Sequence, residues 1–134
     1  MFRGLKVIDT VFKNSADSGF FADLSNKFNL KCPYIIIEAK NYSYDPENPE
    51  FDQLAGRLVN NVGQFGIQIC REISDPDKVK ERCESYLDDN NKHIIVLTDE
   101  DLVNLLELSQ DSDEDGINDY MDKKIRPLVF KSKK

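Results

Sequence analysis

The sequence predicts an α/β domain with a mixed central sheet, and three observations carry that reading. Strand-like runs rich in Val and Ile alternate with segments whose apolar residues recur at helical spacing. The chain has 134 residues, enough to bury one core and too few for two. Its composition, 40% hydrophobic and 32% charged with only 6 Gly and 5 Pro, excludes disordered, collagen-like and low-complexity chains.

Leu5 to Phe12 reads as the first strand, with Leu5, Val7, Asp9 and Val11 facing one way, so that Asp9 interrupts an apolar face. A short helix is expected around Phe20 to Phe28. Pro33 then introduces the most β-prone run, Tyr34 to Asn41. Asp45 to Pro49 is a turn, and Phe51, Leu54, Ala55, Leu58, Val59 and Val62 form a helical stripe that Gly63 would close as a left-handed cap. Phe65 to Arg71 alternates as a strand through Phe65, Ile67 and Ile69. Asp75 followed by Pro76 starts a helix with Val79, Cys83, Tyr86 and Leu87 inward, ending near Asp89 to Asn91. His93 to Leu97 is a short buried strand. Thr98 and Asp101 resemble a capping box for a Leu-rich helix ending near Leu108, and a last helix is expected over Tyr120 to Ile125. Residues 1–110 are read as the body of the domain, with 111–134 an acidic loop, helix and basic tail belonging to it.

The net charge of −7 disfavours nucleic acid and anionic membranes as partners of the whole surface. That charge is unevenly spread. Asp99 to Asp122 holds 10 acidic residues and no basic one, Lys123 to Lys134 holds 6 basic and no acidic, and residues 1–98 carry 15 acidic against 12 basic. No apolar run approaches the roughly 18 residues a membrane helix needs. Met1 to Thr10 lacks the pattern of a secretory signal, so a cytoplasmic setting is expected. Cys32, Cys70 and Cys83 are odd in number and lack C-x-x-C spacing, which predicts reduced core thiols. A lone His93 argues against a His-dependent triad.

The period of two puts Tyr34, Ile36, Glu38 and Lys40 on one strand face, a carboxylate and an ammonium among apolar neighbours. Charges so placed are unfavourable unless paired or metal-bound, and the first strand offers a second carboxylate, Asp9. Two carboxylates make a hard-oxygen site suited to Mg²⁺, and a lysine beside it could stabilise phosphate charge and help deprotonate water. The same residues also fit an ordinary edge-strand ion pair, since E-x-K alone is a weak signal.

The stretches "KVIDTVFKNSADSGFFADL" and "CPYIIIEAKNYSYDPENPEFDQLAGRLVNNVGQFGIQICR" resemble the PD-(D/E)XK, or restriction-endonuclease-like, nuclease superfamily, over roughly residues 5 to 97. The resemblance implies a three-layer fold with a mixed sheet flanked by helices. It implies Mg²⁺ or Mn²⁺ as cofactor, with Asp9, Glu38 and the Ala39 backbone carbonyl as ligands, Lys40 as the catalytic lysine and Gln53 as an accessory residue. The expected activity is endonucleolytic cleavage of DNA, of restriction or defence type. Ile8 replaces the nominal proline before Asp9. The first core helix and strand of the family lack counterparts, which implies a longer protein, or a second subunit such as another copy, covering the sheet. Asn41, Tyr42, Ser43 and Arg57 could contact phosphate or serve ordinary surface roles. A catalytically inactive, partner-binding version of the fold is the alternative reading.

The segment "DSDEDGINDYMD" places Asp111, Asp113, Asp115, Asp119 and Asp122 at calcium-loop spacing, with Gly116 at the turn position, and resembles EF-hand-like D-x-D-x-D-G loops. Ca²⁺ bound there could modulate such a module. Asp at position 12 and Asn118 at position 8 depart from the pattern. The competing reading, a solvated acidic connection favouring the N-terminus of the last helix, is preferred.

Overall fold

The computed structural model describes residues 7–40, 45–59 and 61–131, apart from the side chains at 7–9, 40, 89 and 90. Its elements in chain order are β1 (Val7–Lys13), α1 (Phe20–Asn26), β2 (Tyr34–Lys40), α2 (Asn48–Arg57), β3 (Phe65–Ile69), α3 (Pro76–Asn90), β4 (His93–Leu97), α4 (Asp99–Gln110) and α5 (Glu114–Lys131). The strands form one mixed sheet in the order β1-β2-β3-β4. β1 pairs antiparallel with β2, and β2, β3 and β4 run parallel, as strands joined by helical crossovers must. Among the described residues, no helix is long and apolar enough to cross a membrane.

Helices cover both faces. α2 lies over the face that carries Gly66, where a β-carbon would meet the Leu54 side chain at 3.0 Å, so the missing side chain lets the helix approach. α3 joins α2 through stacked Phe51 and Tyr86 rings, 5.5 Å between centroids. On the other face Phe20 of α1 meets Phe65 edge to face at 5.8 Å. Met121, Ile125 and Leu128 of α5 complete the same core as β4 and α3. β3 and β4 are therefore buried on both faces, which their near-continuous apolar sequences reflect. The alternation read for Phe65, Ile67 and Ile69 described only half of this, because Gly66 and Gln68 are buried as well.

The termini of α3 and α4 follow the sequence closely. Asp75 accepts from the Lys78 N–H, and Asn91 ends α3 in the left-handed conformation. Thr98 and Asp101 form the reciprocal capping box of α4. α2 departs from expectation. It begins at Asn48, inside the segment read as a turn, because Glu47 and Glu50 form a capping box and Pro49 suits the first turn. It ends at Arg57 rather than at Val62.

Gly63 therefore does not cap α2. With φ of 135° it lies in a turn closed by the Val62 and Gly63 N–H groups on the Val59 carbonyl. A β-carbon there would sit 2.7 Å from the Lys31 carbonyl oxygen, which is itself fixed by the Gln64 N–H. Gly63→Ala is expected to cost about 2–3 kcal/mol, combining a forbidden conformation with a backbone clash. Denaturant unfolding measures this, and a loss below about 0.5 kcal/mol would contradict it.

β1 is the outer strand, and Val11 and Phe12, on its opposite faces, are 57% and 51% exposed. The expectation of a missing covering element falls partly on residues 1–6, which lie outside the described residues.

Candidate functional site

The register of the first strand pair sets Asp9 directly opposite Glu38, and Val7 opposite Lys40. Opposed residues of antiparallel strands share a face, with Cα atoms roughly 4.5–5.5 Å apart. The next strand continues the row, since Gln68 of β3 is the parallel partner of Glu38. Asp9, Glu38 and Gln68 thus occupy one line across three strands, on the face that α2 covers. Ala39 takes the opposite face, paired with Ile8 and Ile69. The side chains of Asp9 and Lys40, and the whole of Asn41, Tyr42 and Ser43, lie outside the described residues.

Glu38 is fully buried, and its Oε2 stands 2.7 Å from Nε of Arg57, whose side chain is 41% exposed. A carboxylate removed from water requires an opposite charge or a set of donors, and α2 supplies the charge from its last turn. The helix is held for this purpose at its other end. Asp45 accepts from the Ser74 and Asp75 N–H groups at 2.6 and 2.8 Å, Arg82 donates to the Pro46 carbonyl at 2.8 Å, and the Tyr86 hydroxyl donates to Asp52 beside the Asn48 carbonyl. Gln53, expected to serve the site, is exposed on α2, one turn before Arg57.

Gln68 is a polar neighbour that the sequence reading did not single out. It is fully buried, its Nε2 donates to the Glu38 carbonyl at 3.3 Å, and its Oε1 accepts no hydrogen bond among the described residues. The available signal was a lone amide inside "FGIQI". Two features of this donor set suit a hard cation: a buried carboxylate that already holds a positive charge, and a buried amide oxygen lacking a donor. Among the described side chains, no three His, Cys, Asp or Glu gather into a metal-binding group.

The acidic segment is organised differently from a twelve-residue loop. α5 starts at Glu114, so Asp115, Asp119 and Asp122 are helical, six residues before the helix was expected to begin. Asp113 accepts from the Gly116 N–H at 2.9 Å and thereby caps the helix, whereas Asp122 pairs with Arg126 one turn along. Asp111 ends α4. A β-carbon on Gly116 would meet the Asp113 carboxylate and Leu108, which accounts for the glycine without an ion. Asn118, the departure at position 8, accepts from the Phe20 N–H at 2.9 Å and caps α1 from across the fold.

Asp101 is the most connected acid of this region. It accepts from the Thr98 N–H at 2.8 Å, from the Tyr120 hydroxyl at 2.6 Å and from Lys124 at 2.9 Å. Burial raises its pKa, but these donors outweigh burial and leave it below the usual carboxylate value. Cys32, Cys70 and Cys83 are free and buried, and burial pushes their thiols up to about 11, 11 and 12, which makes them inert core residues. His93 is buried on β4, away from the Glu38 row.

No family model, curated protein or solved structure matches this chain.

Proposed function

We propose that this chain is a metal-dependent nuclease domain of the restriction-endonuclease-like, PD-(D/E)XK type, an endonuclease that hydrolyses DNA phosphodiester bonds in the cytoplasm as part of a larger assembly. The observation that supports this best is the strand register: Asp9 directly opposite Glu38, with Lys40 two residues further along the same strand. Paired carboxylates on adjacent strands form a hard-oxygen site. Mg²⁺ or Mn²⁺, held by Asp9, Glu38 and the Ala39 carbonyl, would supply Lewis acidity at a phosphoryl oxygen. Lys40 contributes positive charge where the phosphate's charge rises and orients the attacking water. The mildly acidic residues 1–98 offer little general attraction for DNA, so this reading assigns part of the grip to a further domain or second subunit.

Arg57 favours a second reading, that of a nuclease fold without catalysis acting as a protein-interaction module. Its guanidinium already answers the charge of Glu38. Leu102, Val103 and Leu106 also leave an apolar stripe of α4 exposed, as a docking helix would.

Incubating the purified protein with duplex, single-stranded and branched DNA and with RNA separates the two. Strand scission in Mg²⁺ or Mn²⁺ that disappears on chelation is expected for the nuclease. Intact substrates under every condition would remove that reading and leave the interaction module.

A further inference from the structure

We propose that Glu38 is an exchange position at which Arg57 and a divalent cation compete, and that Gln68 Oε1 becomes a ligand of the ion when it replaces the guanidinium. The inference rests on the nuclease reading of the same strand pair and adds to it two residues outside the D…E-x-K pattern.

The two members of the Glu38–Arg57 pair differ in their access to water. The carboxylate is fully buried, while the arginine side chain is 41% exposed and borders a groove of about 400 Å³ with Val11, Tyr34, Ile36 and Val62. The guanidinium can therefore leave Glu38 and be rehydrated at little cost, but the carboxylate cannot follow it. Some positive charge must remain beside Glu38 at all times. A divalent ion satisfies that requirement more strongly than one monovalent group, and each occupant excludes the other.

Gln68 supplies the second half. Donation from its Nε2 to the Glu38 carbonyl fixes the amide, so that the oxygen is the group left over. That oxygen is buried without a donor among the described residues, an arrangement that is unfavourable in a core. Amide oxygens are accepted ligands of hard cations. A cation beside Glu38 would satisfy the oxygen on the adjacent strand, with no change in the register that puts Gln68 next to Glu38.

Calorimetric titration with Mn²⁺ tests both residues in opposite directions. Arg57→Gln is expected to bind Mn²⁺ about tenfold more tightly than the wild type, with Arg57→Lys in between, whereas Gln68→Met binds about tenfold more weakly. Without the ion, Arg57→Gln should melt below the wild type, and Mn²⁺ should raise its Tm by the larger amount. In the wild type, the Arg57 Nε–H resonance should move during a Mg²⁺ titration with the midpoint seen by calorimetry. Equal or weaker Mn²⁺ binding by Arg57→Gln in a protein that cleaves DNA overturns the exchange and leaves the nuclease reading standing. Undiminished affinity in Gln68→Met overturns the assigned ligand. Absence of both Mn²⁺ binding and cleavage in the wild type overturns the nuclease reading itself. Should Arg57→Gln fail to fold, Arg57→Lys carries the same comparison.

Discussion

Glu38→Gln is expected to lower metal-dependent cleavage by at least about 10²-fold while changing stability by no more than roughly 1–2 kcal/mol. The two effects separate because of where the charges sit. Glutamine keeps the volume of a side chain that is fully buried, removes the charge that had to be desolvated, and leaves an arginine that is partly in water already. Replacing a buried ionic group by a neutral one of similar shape is often close to neutral for folding. Catalysis has no such tolerance, since the amide cannot take the place of an anionic ligand. Arg57→Ala should show the reverse order of severity in folding. It takes a guanidinium away from a buried carboxylate, and although the arginine's exposure discounts the figure, a loss of about 2–3 kcal/mol is expected, below the 3–5 kcal/mol typical of fully buried pairs. Single-turnover cleavage and urea unfolding of both variants check the contrast. If Glu38→Gln cleaves at the wild-type rate, Glu38 has no part in the chemistry. If it instead unfolds, the residue is first of all structural. Asp9→Asn and Lys40→Gln belong to the same activity series, and each should lose cleavage by a comparable factor.

The sequence made the order of strands and helices readable because each signal was local. The Asp75-Pro76 start of α3, the Thr98–Asp101 box of α4 and the Asn91 terminus of α3 lie where short-range capping chemistry puts them. What stayed hidden depended on partners far along the chain. Gly63 looked like a helix cap, and its actual constraint is the Lys31 carbonyl. The acidic run showed calcium-loop spacing, yet Asp113 caps α5 and Asp122 pairs within it. The departure at Asn118 is explained by the start of α1, 98 residues away in sequence.

The candidate site divides in the same way. The alternation that put Glu38 and Lys40 on one face is a property of a single strand and could be read directly. Opposition of Asp9 and Glu38 required a register, which an α/β pattern suggests but does not determine. Arg57 and Gln68 could not be ranked from the sequence. One was read as a surface or phosphate-contacting residue, the other as part of an apolar strand, and only packing of α2 and β3 against β2 gives them a common neighbour.

Acid should destabilise the fold in two separate steps, of which His93 sets the first. Burial lowers the pKa of this imidazole from 6.5 to about 4, and its Nδ1 has no hydrogen-bond partner among the described residues. A folded-state pKa below the unfolded value means that the unfolded chain binds the extra proton first. The stability contributed by the neutral ring is therefore complete above pH 6.5 and is lost as the pH falls toward 4. From the difference between those values the loss reaches about 3 kcal/mol near pH 4, a large part of a small domain's total. Asp101, also depressed, acts lower: its contribution is complete above the carboxylate's ordinary 3.8 and fades only below it. Denaturant unfolding between pH 7 and 4 measures the first step free of the second. His93→Leu should flatten that region, because leucine extends the apolar run Ile94 to Leu97 and the Nδ1 position gives up no hydrogen bond. At pH 7 the variant should be as stable as the wild type within about 1 kcal/mol. An unchanged slope in His93→Leu, or an imidazole that titrates near 6.5 by NMR, would show that the buried ring does not govern acid stability.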